Sequence, residues 1–201
     1  MDEKMLLHYI PYFKGFLVIL ALAYFGYIFK NRGKFKSAQT VALSAIMAGV
    51  VTVATIIIRV PIPASSGYLN FGDTMVMLTA ILFGPLIGAF AGGVGSALAD
   101  LIGYPAWAPF TLIVKGLEGF IVGYIASKGD DYTTTLMATI AGGIILVAGY
   151  VIVAFVMGGY GAAIAELYND TLQAVTGIVI GGGLGYTIKK RYPDIVSLIQ
   201  S

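Results

Sequence analysis

Four runs without a single charged residue, Ala38–Ile58, Thr74–Ala99, Tyr132–Ala165 and Thr171–Ile188, constrain this chain more than any other feature. Each reaches or exceeds the roughly 18 apolar residues that a helix needs to cross a bilayer. With 58% of residues hydrophobic and 11% charged, the chain has too little polar surface for a soluble domain, so lipid is its solvent. A lipid-exposed backbone must satisfy its own hydrogen bonds, which leaves helices or a closed barrel. The runs lack the apolar/polar alternation of barrel strands and therefore select an all-α helical bundle.

Helix breakers and charges divide the chain into about seven segments. The first covers about Tyr9–Phe29, with Pro11 in its first turn and Lys14 within snorkelling distance of the interface. Asp2 and Glu3 before Lys4, and the lack of a small-residue cleavage site, argue against a removable signal peptide. The second segment, Ala38–Ile58, ends at Arg59-Val-Pro-Ile-Pro-Ala-Ser-Ser-Gly-Tyr-Leu-Asn, whose prolines and small polar residues predict a loop. A short helix Asp73–Phe83, a tight turn at Gly84-Pro85 and a helix Leu86–Ile102 follow. Gly103-Tyr-Pro-Ala-Trp-Ala-Pro reads as a second loop. Helices Trp107–Ser127, Tyr132–Met157 and Ala163–Ile188 complete the set, with Gly158–Ala162 as the remaining interhelical loop. This divides the chain into an N-terminal helix and basic linker (1–36), a six-helix membrane domain (37–192) and a tail (193–201).

Lysine and arginine placement sets orientation. Lys30, Arg32, Lys34, Lys36, Lys128, Lys189, Lys190 and Arg191 all fall at ends that alternate crossings place on one side, predicted to be the cytoplasm. The Pro/Gly loops and Gly158–Ala162 share the opposite, outer face, where Arg59 is the one basic residue among them.

Ionisable residues inside such helices are expensive and mark function by default. Lys115 and Glu118 lie roughly 12 to 17 Å into a helix beginning near Trp107, in mid-bilayer. With Trp107 and Thr111 they form one stripe that must face protein or a wet cavity. Asp100, closing the preceding helix, is the natural further partner for Lys115, although a purely structural ion pair would satisfy the same pattern. In the last helix Glu166, Asn169, Asp170 and Gln173 share one side. A solvated helix start accounts for Glu166 and Asp170, which leaves Asn169 and Gln173 as the binding candidates. Asp73 follows Asn70-Phe-Gly at a helix start, where it can cap, contact ligand, or do both. Tyr68, Tyr104, Trp107 and Tyr160 cluster at the outer face, either as an interfacial belt or as walls of a cavity.

Gly88, Gly92 and Ser96, and again Gly177, Gly181 and Gly185, recur every fourth position, which predicts close helix packing. Gly92-Gly-Val-Gly is not a nucleotide loop, because it lies inside an apolar helix with no following Lys-Ser. Cysteine is absent and the single histidine, His8, is near a terminus. Thiolate metal sites and cysteine nucleophiles are thereby excluded, and too little remains to build a catalytic centre, so neither metal nor enzymatic activity is expected.

Three blocks, Tyr68-Leu-Asn-Phe-Gly-Asp73, Phe83-Gly-Pro-Leu-Ile-Gly-Ala-Phe-Ala-Gly-Gly-Val-Gly-Ser-Ala-Leu-Ala-Asp100 and Lys115-Gly-Leu-Glu-Gly-Phe120, resemble the substrate-binding S components of energy-coupling factor (ECF) vitamin transporters. The resemblance spans about Ser37 to Lys190. It is nearest the subgroup associated with riboflavin, pyridoxine or hydroxymethylpyrimidine-type substrates. It implies a six-helix S-component bundle, to which the N-terminal segment adds an extra transmembrane helix. It also implies a vitamin site near the outer surface of a prokaryotic plasma membrane, with the C-terminus cytoplasmic. On this likeness the partners are a transmembrane T subunit and two cytoplasmic ATPases. ATP is then hydrolysed by those subunits and this chain, which has no Walker motif, needs no cofactor and no nucleic acid. The family's docking face uses small residues on the first core helix. Ala38-Gln-Thr-Val-Ala42 and Ala45 fit, and the pairs Ser44/Ala48 and Ala45/Gly49 fit as well.

The substrate-binding set expected from stripe, loop and resemblance together is Tyr68, Asn70, Asp73, Asp100, Tyr104, Trp107, Lys115, Glu118, Asn169 and Gln173. The alternative is a self-sufficient secondary transporter or channel in which Lys115, Glu118 and Asp100 relay protons. Inverted repeats would favour that reading, and none is evident. Acidic residues outnumber basic ones around the proposed pocket, which suits neutral or amine-bearing heteroaromatics better than dianions.

Overall fold

The computed structural model describes residues 15, 18, 19, 22, 24–62 and 67–193. A 3₁₀ turn, Arg32–Lys36, leads into α1 (Ala38–Ile57), and a hairpin of β1 (Arg59–Ile62) and β2 (Gly67–Asn70) follows. Then come α2 (Gly72–Gly103), α3 (Ala108–Ala126), α4 (Tyr132–Thr176), a π-helical stretch Gly177–Gly182, and α5 (Gly183–Arg191).

Two of these helices are folded back on themselves. In α2, Gly84 adopts φ 80°, ψ −176°, a conformation open to glycine, and Pro85 cannot donate the hydrogen bond that would continue a straight helix. The limbs 72–83 and 85–103 therefore pack side by side. A Cβ on Gly88 would lie 2.7 Å from the Ala80 methyl, and one on Gly92 would lie 2.9 Å from Val76. In α4, Gly159 makes the same reversal at φ 75°, ψ −164°. It brings Ala174 within 3.1 Å of the Cβ position of Gly143 and so pairs residues 132–158 with the limb from 160 onward. The six core rods are thus those of the sequence reading. The five-residue loop expected at Gly158–Ala162 is instead a one-residue reversal, because a positive-φ glycine turns the chain without one.

Glycine sets how closely the rods approach. A Cβ at Gly93 would meet Leu112 O at 2.8 Å, and one at Gly123 would meet Pro85 Cα at 2.6 Å, so α3 lies backbone to backbone on the second limb of α2. Gly177, Gly181 and Gly185 likewise seat the last rod on the first limb of α2, against Met77, Thr74 and Ile81. From α1, Ser44, Ala48, Val51 and Thr55 turn inward. Val53 and Ile57 point away from the bundle, as a lipid-facing helix requires. Asp131 caps α4 by accepting the Thr134 N–H at 2.9 Å. Lys189 closes the same end, donating to Ala126 O at 2.8 Å and pairing with Asp130 at 2.8 Å.

The segment after Ile58 corrects a second expectation. Read as a loop, it forms an antiparallel hairpin in which Arg59 pairs with Asn70 and Pro61 with Tyr68. A proline is tolerated because each strand of a two-stranded ribbon is an edge strand. Most of the extra helix expected at Tyr9–Phe29, and the tail beyond residue 193, lie outside the described residues. Residues 24–31 are helical, and Tyr24 packs on Phe120 of α3 with ring centroids 5.8 Å apart.

Candidate functional site

Strand periodicity turns Tyr68 and Asn70 of β2 to the same face, and both are buried against the bundle. Beneath them is a small, partly open cavity. Asp100 from the end of α2, Trp107 and Thr111 from the start of α3, Tyr150 from α4 and Glu166, Asp170 and Gln173 from its second limb complete the lining.

One hydrogen-bonded chain runs across this wall. The Tyr150 hydroxyl donates to Thr111 Oγ1 at 2.9 Å, Thr111 bonds to Asp100, and Tyr68 donates to Asp100 Oδ1 from the opposite side. The hairpin is therefore tied to α2 through a carboxylate at the cavity edge. Tyr104 stacks on Tyr68 with centroids 4.6 Å apart, and the Arg59 guanidinium lies over both rings at 4.6 and 5.5 Å while donating to Ala99 O at 3.1 Å. Trp107 and Tyr150 supply an aromatic wall, tilted at 56° with centroids 5.9 Å apart.

Deeper in the bundle lies an ion cluster. Lys115 is paired with Asp73 and stands 3.5 Å from Glu118, with Lys115 2% and Glu118 0% exposed. The sequence reading gave Lys115 to Asp100, but Asp100 is held by Tyr68 and Thr111 and the lysine turns to the other limb of α2. Nor does Asp73 cap its helix. Asn70 Oδ1 accepts the Gly72 N–H at 2.7 Å, which frees the Asp73 carboxylate to reach inward. The Lys115 ammonium lies 5.5 Å from the Tyr150 ring centre, so the ion cluster adjoins the cavity wall without lining it.

Of the expected residues, Tyr68, Asn70, Asp100, Trp107 and Gln173 line the cavity, and Tyr104 backs Tyr68. Asp73, Lys115 and Glu118 form the cluster below. Asn169 is not among the lining residues; its amide donates to Ala165 O of its own helix at 2.7 Å. Glu166 and Asp170, assigned from sequence to a solvated helix start, are 3% and 1% exposed and line the cavity, because the helix begins at the Gly159 reversal and runs inward before reaching them. Their spacing with Gln173, four and then three residues, was the available signal. Tyr150 was missed, because a tyrosine in an apolar run carries no local signature. Among the described residues, no group of three or more His, Cys, Asp or Glu is placed to hold a metal ion.

On α1, Ala38, Ala42, Ala45 and Gly49 are exposed, whereas Ser44 and Ala48 are buried and Ala48 O lies 2.5 Å from the Cβ position of Gly95. The Ser44/Ala48 register is thus occupied by the protein's own packing.

Comparison with known proteins agrees with this architecture. The family model described as "ECF-type riboflavin transporter, S component" matches residues 35–190. The chain is 62% identical over 146 residues, 73% of its length and 99% of the relative's, to an "uncharacterized protein in gap 3'region" of Pyrococcus woesei. It is 30% identical over 157 residues to the "thiamine precursor transporter HmpT" of Lactococcus lactis subsp. cremoris, covering 77% of this chain and 90% of that one. Among solved structures, the S component for biotin from an ECF-type ABC transporter superposes with a TM-score of 0.60 at 18% identity, covering 85% of this chain and 98% of the other.

Proposed function

Because this chain belongs to the family of ECF-type riboflavin transporter S components, we propose that it is the membrane-embedded binding subunit for uptake of a water-soluble vitamin or vitamin precursor. The observation that carries this reading is the cavity itself, walled by aromatic rings and carboxylates and roofed by the hairpin at one end of a multi-pass bundle. Such a site is concave, with a few placed polar groups among aromatic ones, as small-molecule sites are. The lining residues bind the ligand; Tyr104 and Arg59 hold the hairpin over it, and the Lys115 cluster stiffens the wall beneath.

The basic ends at Lys30–Lys36 and Lys189–Arg191 support an orientation with the cavity at the outer face and the C-terminal end of the bundle in the cytoplasm. A transmembrane T subunit and two ATPases supply the energy, and the exposed Ala38, Ala42, Ala45 strip of α1 is the surface on which the T subunit docks. The test is to purify the full chain in detergent, identify by mass spectrometry any small molecule that copurifies, and reconstitute the chain alone in liposomes. Binding without ATP and without accumulation is the expected result. Robust uptake by the chain alone under a proton or sodium gradient would make it a self-sufficient transporter instead.

A further inference from the structure

Helical residues 24–31, which precede the start of the family match at residue 35, form one wall of a groove whose other wall is α3. Tyr24 sits over Gly116 of α3, where an added Cβ would meet its hydroxyl at 3.0 Å, and it packs on Phe120. One turn on, Tyr27 meets the Phe120 ring with centroids 5.1 Å apart and lies close enough to Tyr124 to act on it electrostatically. Tyr124 in turn stacks on Phe120 at 5.9 Å. Contacts that advance together along both helices mean that the two run side by side in the same direction.

Positive charge gathers where this groove ends. Lys30 follows Tyr27, and Lys128 follows Tyr124, each by about one helical turn. Arg32 opens the 3₁₀ turn that comes next, and Phe35 pins that turn to Phe90 of α2 with centroids 5.9 Å apart. Lys30, Arg32 and Lys128 are exposed, and among the described residues none of them has an ion-pair partner. The acids next in sequence to Lys128 are engaged. Asp130 pairs with Lys189 at 2.8 Å, and Asp131 accepts from Thr134 N–H at 2.9 Å and from its hydroxyl at 2.6 Å. On the other wall no acidic residue lies between Glu3 and Asp73. The mouth of the groove therefore attracts an anion.

The surroundings say which kind. The Arg32 guanidinium stands 4.3 Å from the Phe29 ring centre and the Lys128 ammonium 4.5 Å from that of Tyr124, which sets rings at the acyl boundary and bases at the level of phosphate. Phe25 and Phe29 are 54% and 65% exposed and Tyr124 is 42% exposed, so an apolar strip runs from the bases toward the membrane interior. An acidic protein would satisfy the bases and leave that strip bare, whereas a lipid covers both. We propose that the groove between residues 24–31 and α3 binds an anionic phospholipid. Lys30, Arg32 and Lys128 receive its phosphate, and Tyr27 and Tyr124 flank the first carbons of its chains. The site does not depend on what fills the cavity.

The test is native mass spectrometry of the purified full chain in micelles doped with phosphatidylglycerol or with phosphatidylcholine of the same chains. Phosphatidylglycerol is expected to be retained at about tenfold or more lower concentration than phosphatidylcholine. Lys30→Gln, Arg32→Gln and Lys128→Gln together should abolish that preference. Lys190→Gln with Arg191→Gln, at the same end of the bundle on α5, should keep it. Should the triple variant not fold, Lys128→Gln alone is expected to weaken phosphatidylglycerol retention about threefold or more. Equal retention of the two lipids, or an unchanged preference in the folded triple or single variant, overturns the site. Equal loss in the α5 variant also overturns it, by reducing the effect to the general charge of the basic end. Displacement of the lipid by inorganic phosphate at the same concentration overturns the lipid as occupant in favour of a soluble anion. Loss of the T subunit and ATPases from the triple variant, with lipid retention unchanged, assigns the bases to a protein partner instead.

Discussion

Lys115 is the residue whose environment is most demanding. Its ammonium sits in the bundle between Asp73 and Glu118, and nearly all of the energy of that arrangement is cancellation: three buried charges are tolerable together and not apart. Lys115→Met should therefore cost about 3–5 kcal/mol of stability, because it leaves two carboxylates facing each other without a cation. Adding Asp73→Asn removes one of those carboxylates, so the double variant should be more stable than the sum of the single losses by about 0.5–3 kcal/mol. Thermal unfolding of the four proteins in one detergent measures this, and strictly additive losses would show that the pair does not interact. Which carboxylate partners Lys115 could not be read from sequence. Helical spacing put the lysine, Glu118 and Thr111 on one stripe, but Asp73 and Asp100 are both plausible partners until the hairpin claims Asp100 through Tyr68. The choice depends on a contact between elements, which periodicity does not encode.

At the level of elements, glycine does two different jobs, and they separate experimentally. At Gly84 and Gly159 it provides positive φ for a reversal. At Gly181 it provides space: an added Cβ would stand 2.6 Å from Thr74 O, a backbone atom that cannot step aside. Gly183, two residues on, has nothing within 4 Å of its Cβ position. Gly181→Ala should push the last rod off the first limb of α2 and lower the unfolding temperature. Gly183→Ala should be neutral or stabilising, up to about 1 kcal/mol, from helix propensity alone. Equal effects of the two substitutions would mean that the glycine stripe does not set the helix separation. The stripe was legible in advance because small residues every fourth position have one common cause in membrane helices. The rods were legible for an equally local reason, apolar length between breakers. The hairpin was not, since four-residue strands containing proline look like loop until their pairing is seen.

The whole molecule presents a mostly lipid-facing surface in which one strip is unusual. Along α1, Val41, Ile46, Val53 and Ile57 project large side chains outward, while Ala38, Ala42, Ala45 and Gly49 leave a shallow lane between them. Small side chains on a lipid face contribute little to packing against acyl chains, but they allow a second helix to come close enough for backbone contact. The competing register, Ser44 and Ala48, is already buried within the protein, with Ala48 and Val51 packed against Gly95 of α2, so the exposed lane is the one open to a partner. Ala42→Trp should fill that lane without entering the cavity, which is lined by the hairpin, α2, α3 and α4 and by no residue of α1. The expected outcome is unchanged ligand affinity in detergent, together with loss of co-purification with the T subunit and ATPases and loss of ATP-dependent uptake in cells expressing the complete transporter. Normal uptake would place docking on another surface. Loss of ligand binding along with assembly would show that the lane supports the bundle itself, since a bulky residue that acts only at the outer surface has no path to the cavity wall.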